Sequence, residues 1–319
     1  MLLPPMQTPP TLIAPAPSAQ EAEAALLEAF DYDLALPTEP KLKGAAALKY
    51  RWLRATATFD PTRELPANPF AAGRERQEAE ALRHLLKAPK DQLEGELKAL
   101  PIRTSGTALA LWRWGQIQVR AGAFQGALRR LWEDRLLSAG SVLTRGYGLR
   151  HALCWALAEQ DEARFSSVRS AAGTTSEETI KGFQRLFGLL GGPSPMLRLW
   201  ALPAMEYHDL RLDQLGSTRV WICPAEPAAL PDLPPGTAWI IPSATADLSE
   251  RDASLSEGLL TEGRALAVRL QGTGRSAQLA PSRAAFENLG LAWFPILIEL
   301  DAKGDIRTIR MGDAAPDRP

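Results

Sequence analysis

Cysteine is nearly absent from this chain of 319 residues: Cys154 and Cys223 are the only two. They form no Cys-x-x-Cys and cannot staple a disulfide-rich mini-fold. Histidine is as scarce. His84, His151 and His208 are scattered, with no His-x-x-x-His, His-Glu-x-x-His or Cys/His cluster, so neither a zinc site nor any other metal or cofactor is expected. There is no excess charge of either sign: the net charge is −1 and the pI about 6.4, which removes the bulk electrostatic case for nucleic acid. No run reaches the ~18–20 apolar residues of a membrane-spanning helix. Gly272-Thr-Gly274-Arg275-Ser276 lacks the Gly-Lys-Ser/Thr ending of a phosphate loop and reads as a turn. No Gly-x-Ser-x-Gly elbow or catalytic carboxylate pair stands out. Arginines are interspersed with acids and read, like Glu94, Glu96, Glu177 and Glu178, as solvated surface.

What is present changes character once along the chain. Residues 1–19 are rich in Pro and Ala, with Pro4, Pro5, Pro9, Pro10, Pro15 and Pro17 interrupting any apolar core of a signal peptide; they read as a disordered leader. From residue 20 to 190 the language is helical: Ala, Leu, Glu and Arg without β-branched runs. Ser18 is placed to cap a helix through Phe30. Further helices are predicted over 42–58, 75–86, 91–100 and 176–190. The spacing of Gly115, Gly122, Phe124, Ala127 and Leu131 fits a helical hairpin and resembles one tetratricopeptide unit, in which Ala127 packs into the first helix. Gly191-Gly192-Pro193-Ser194-Pro195 marks a boundary, and residues 191–204 read as a linker. Beyond it, short Val, Ile and Trp runs between Pro and Gly are strand language. Strands are predicted at 219–223, 237–242, 264–270, 296–300 and 306–311, with helices over 248–263 and 282–289.

Gly290-Leu-Ala-Trp-Phe-Pro295, then an apolar strand, Asp301-Ala-Lys-Gly304 and a second strand, resembles the C-terminal half of a thioredoxin-like domain of the TlpA/redoxin type. Leu210 to Cys223 is similar to the family's entry turn and first strand. The resemblance covers residues 205–313, with a tail at 314–319. It implies a thioredoxin-like mixed-sheet α/β domain with a cis peptide before Pro295, so the expected fold class is an α-helical, hairpin-built (TPR-like) domain followed by that α/β domain. It leaves an extracytoplasmic location open. The family's Trp-Cys-x-x-Cys is missing. The expected cysteine positions fall near Ala228 and Pro231, and a long first helix cannot run through Pro231, Pro234 and Pro235.

Cys223 is the sole thiol near the family's active edge. It is a candidate catalytic residue of a single-cysteine oxidoreductase or peroxidase, or a small apolar residue inside a strand. Trp293, Phe294 and Pro295 are candidate binding residues; the two aromatics either fill the vacated site or form an exposed anchor. The favoured reading is a non-catalytic interaction or scaffold protein with a redox-inactive thioredoxin-like domain, a protein or peptide partner, no nucleic acid and no cofactor. The alternative is a thiol-disulfide oxidoreductase working through Cys223.

Overall fold

The computed structural model describes residues 18–31, 36–58, 64–139, 142–172, 176–223, 233–243, 257–271, 273, 275–280, 286, 289–291 and 294–315. Among them the chain forms two compact units. Residues up to Phe124, with Ser138–Arg145, make the first; Gln125–Leu137 and the chain from Gly146 onward make the second.

The first unit is helical: α1 (Ala19–Asp31), α2 (Gly44–Thr58), α3 (Arg74–Lys87), α4 (Leu93–Ala99) and α5 (Ser105–Arg120). Ser18 begins α1 as expected. Its Oγ accepts from the Glu21 amide at 3.2 Å while Glu21 accepts from the Ser18 amide at 2.7 Å, a reciprocal cap. α2 lies against α5, and the contact depends on a missing side chain. A Cβ on Gly106 would stand 2.4 Å from Cδ1 of Trp52. The start of α5 is satisfied twice over: the Thr104 hydroxyl caps the Thr107 amide, and the buried Glu78 carboxylate of α3 accepts from both the amide and the hydroxyl of Thr104 at 3.0 Å. An anion there also complements the helix dipole.

The second unit holds α6 (Gly126–Leu137), α7 (Val142–Ala158, from Gly146), α8 (Glu162–Ala172), α9 (Glu177–Leu189) and a sheet. The strands are β1 (Met196–Leu202), β2 (Glu206–Arg211), β3 (Arg219–Ile222), β4 (Thr237–Pro242), β5 (Ala277–Ala280), β6 (Ile296–Leu300) and β7 (Ile306–Met311), with α10 (Glu257–Leu270) between β4 and β5. Their order is β2-β1-β5-β4-β3-β6-β7. β3, β4 and β5 run parallel, and every other pairing is antiparallel. The class is therefore helical plus a mixed sheet.

Alternation along each strand separates two cores. Val220, Ile222, Ile240, Ile296 and Ile298 face a cluster that includes Leu153 and Leu157 of α7, Phe165 of α8 and Phe183 of α9. Trp221, Cys223, Trp239, Ile241 and Leu297 face a second cluster with Leu259, Leu266 and Leu270 of α10. Both faces are covered, so the central strands are apolar on both sides.

Three expectations are corrected here. The stretch at 191–204 does not link two domains. It contains β1, and Gly191 and Gly192 exchange backbone hydrogen bonds with Ile306 at 2.8 and 2.9 Å. The helices before it share the sheet's core, so the predicted helical domain 20–190 is divided elsewhere. The strand predicted at 264–270 is the second half of α10, because Leu259, Gly263, Leu266, Ala267 and Leu270 form a buried stripe at helical spacing. Ala127 does not pack into α5. It is exposed, since the buried stripe of α6 runs through Arg129, Trp132, Glu133 and Leu136. The helix predicted over 282–289 lies largely outside the described residues.

Gly290 seats the loop before β6. It has φ +86°, and a Cβ there would lie 2.5 Å from the backbone oxygen of Gly182 on α9. Gly290→Ala should cost about 3 kcal/mol, backbone strain adding to overpacking, measured by urea unfolding. Gly182→Ala brings its methyl only to 3.5 Å from Gly290 Cα, an ordinary contact, and should be neutral or stabilise by up to about 1 kcal/mol through helix propensity.

Candidate functional site

The expected site lies where β3 ends and β6 begins. Ile222 pairs with Ile296, so the backbones of Cys223 and Pro295 follow at the same end of the sheet. The peptide before Pro295 is cis, and the Pro295 carbonyl accepts from the Gly312 amide at 2.9 Å. The side chains part company. Cys223, 2% exposed, sits in the α10-side core. Its amide donates to the Ile240 carbonyl at 3.1 Å, and its carbonyl accepts from the Trp239 indole at 3.4 Å. Phe294 packs against the opposite core, with its ring edge-on to Phe286 at 6.2 Å. Trp293 lies outside the described residues. The strand therefore brings Cys223 and Pro295 to one end while the pleat sends Cys223 and Phe294 to different faces. The turn after β6 is built as its sequence implies: Gly304 has φ +85°, and Asp301 Oδ1 accepts from the Lys303 and Asp305 amides at 2.8 and 3.0 Å.

A second constellation went unrecognised in the sequence. Arg129, Glu133, His151 and Arg164 are not solvated; they form a buried ionic network among α6, α7 and α8. Glu133, 1% exposed, is its hub. It accepts from Arg129 Nε at 3.2 Å and Arg164 Nη2 at 2.8 Å, and meets His151 Nδ1 at 3.1 Å. Arg129 also forks onto both oxygens of Glu159 at 2.9 and 2.8 Å and lies over the Trp155 ring, 4.1 Å from its centre. Arg164 reaches Asp134 at 2.8 Å as well. Gly148 permits the approach of α7 to α6: a Cβ there would lie 2.6 Å from Leu136 Cβ.

The chemistry of this cluster follows from its donors. The Trp155 indole can only donate, and it points at His151 Nε2 at 3.2 Å. Nε2 is then the acceptor and Nδ1 carries the proton toward Glu133. The ring nitrogen that a general base would use is already engaged, so the arrangement orients and holds rather than transfers protons. Burial alone would push the Glu133 carboxyl up. His151, Arg129 and Arg164 together outweigh it and hold the carboxyl below its usual range. Arg164, opposed by burial, is raised by Glu133 and Asp134. The signal available in the sequence was Arg129-x-x-x-Glu133, an i,i+4 pair on the same helical stripe as Trp132 and Leu136. Among the described residues no group of three His, Cys, Asp or Glu side chains is placed to hold a metal ion, and no helix is long and apolar enough to cross a membrane.

Glu133→Gln should lower stability at neutral pH by about 3 kcal/mol or more, since it leaves two buried guanidinium groups under-compensated. A carboxyl whose folded value lies below its unfolded one contributes stability that is fully present above the unfolded value, near 4.5, and is lost as pH falls through the folded value. Chemical denaturation between neutral pH and pH ~3 should accordingly show a steeper acid loss for the native chain than for Glu133→Gln.

No protein-family model matches the chain, and no curated protein and no solved structure matches it.

Proposed function

We propose that this is a non-catalytic interaction protein whose sheet-bearing unit is a redox-inactive thioredoxin-like domain, with a protein or peptide as its partner. The observation that carries this reading is the burial of Cys223 between Trp221, Trp239 and α10. A thiol enzyme needs an accessible thiolate and, for disulfide exchange, a resolving thiol. The only other thiol, Cys154, lies in the core on the opposite face of the sheet. The strand order β5-β4-β3-β6-β7, with a parallel set followed by an antiparallel pair behind a cis-proline, supports the redoxin-like part of the reading. Surface apolarity supports the binding part. Met196 and Tyr207, two of the large hydrophobic side chains exposed among the described residues, both lie on the β1–β2 hairpin. β2 ends the sheet, and a terminal strand has a free row of backbone groups to offer an extended peptide. The tetratricopeptide likeness finds no support, because Ala127 is exposed and α5 and α6 fall in different units.

Iodoacetamide alkylation of a Cys154→Ser variant isolates Cys223. The native protein should react orders of magnitude more slowly than the unfolded chain, at a rate that rises with urea in step with unfolding. Fast native alkylation with a midpoint well below ~8.5, the free-thiol value, would replace this reading with the thiol oxidoreductase.

A further inference from the structure

The first unit contains a cavity of about 190 Å³ that no part of the preceding function uses. One wall is apolar: Trp52 and Leu53 of α2, and Phe70, whose ring meets Trp52 edge-on at 6.2 Å. The other wall is charged with both signs. Glu23 of α1 is anchored by Ser105 Oγ at 2.7 Å through one oxygen only among the described residues. Lys49 is neutralised by Glu75 at 3.2 Å. Arg103 is exposed at the rim, with no ion pair among the described residues. Trp52 is 2% exposed, and its indole nitrogen is buried with no acceptor among the described residues.

We propose that this cavity binds a free α-amino acid with an apolar side chain. The lining offers one uncommitted charge of each sign beside an aromatic wall, which is the complement of a zwitterion on a hydrophobic body. Arg103 takes the carboxylate, a charge-assisted contact that the fork of a guanidinium suits. The free oxygen of Glu23 takes the ammonium. Trp52, Leu53 and Phe70 take the side chain. A ligand with a carboxylate alone would leave Glu23 facing it, and an amine alone would leave Arg103 facing it; both are like-charge costs. The size agrees: an apolar cavity of about 150 Å³ holds benzene, and the extra volume accommodates the charged end. In a peptide the two charged groups lie at opposite ends of the chain, so only a free amino acid presents both on one carbon.

Calorimetric titration of the full chain with L-phenylalanine, phenylacetate and phenethylamine tests this. L-Phenylalanine should saturate one site, and each analogue, lacking one charge, should bind about tenfold more weakly or worse. Arg103→Gln should reduce L-phenylalanine to the affinity of phenethylamine, and Glu23→Gln should reduce it to that of phenylacetate. Arg103 is exposed and Gln at 23 can still accept from Ser105, so both variants keep the fold, which thermal melting checks. Absence of saturation by L-phenylalanine up to ~10 mM, equal binding of either analogue, or unchanged binding in both variants would overturn the proposal.

Discussion

The second unit depends on one constraint: the central strands of its sheet are buried on both faces. β3 is an interior strand, hydrogen-bonded to β4 on one side and β6 on the other, and after the exposed Arg219 its residues alternate between the two cores without reaching solvent. A strand in that position has no polar side to spare, so Val220-Trp221-Ile222-Cys223 reads as a continuous apolar run. The burial of Cys223 follows from this constraint and needs no special device. With Val220 and Ile222 committed to the side of α7–α9, position 223 has to face α10, between two tryptophans. A reactive thiol there would require the strand to end one residue earlier or the α10 face to open.

The same constraint shapes the helices that do the covering. α7 and α9 put apolar stripes on the sheet, and α6 and α8 flank α7. The faces of α6, α7 and α8 that meet one another away from the sheet carry charge, yet those groups are also removed from water. Burying Arg129, Glu133 and Arg164 is costly unless each charge is paired. The observed answer is sharing: one carboxylate serves two guanidinium groups and a histidine, Glu159 and Asp134 at the partly exposed margin take further guanidinium contacts, and Arg164 Nε is buried without a partner among the described residues. Such a network adds little net stability compared with an apolar core. It does fix the rotation of α6 about its axis relative to α7, because only one register brings Glu133 to His151 while Gly148 meets Leu136.

Legibility in the sequence tracked the range of the interaction. The turn at Asp301–Gly304, the strands around it, β4 and the capped start of α1 are local, written in turn residues, alternation and a capping box, and all were readable. The strand misread at 264–270 fails for the opposite reason. Ala265-Leu-Ala-Val-Arg-Leu270 is a short apolar run that periodicity alone cannot assign, and its helical state is settled by the stripe that continues back to Leu259. β1 was hidden because Met196–Leu202 follows a Gly/Pro cluster that looks like a linker, and only its pairing with β2 and β5 makes it a strand. The ionic network was illegible for a similar reason. Arg129, Glu133, His151 and Arg164 are spread over 36 positions, 129 to 164 inclusive, and composition cannot distinguish a charge facing water from one facing its partner on another helix. The cavity wall of Trp52, Phe70 and Arg103 is likewise assembled from separate segments.

On the redoxin reading, the helix that follows the corresponding strand of an active member has two jobs. In an active member that helix both lowers the pKa of the leading cysteine and covers one face of the sheet. Losing the first job is harmless if the protein no longer does thiol chemistry. Losing the second would leave Val220, Ile222, Ile240 and Ile298 in water, which no folded domain of this size tolerates. Here the cover is supplied by α7, α8 and α9, which precede the sheet in sequence and share one core with it. With that face covered by α7, α8 and α9, its burial does not depend on the proline-rich sequence from Pro224 to Pro235 supplying a helix. The same substitution explains why residues 191–204 cannot act as a linker: the helices on one side of that stretch and the strands on the other are halves of a single core, and neither half buries its apolar face alone.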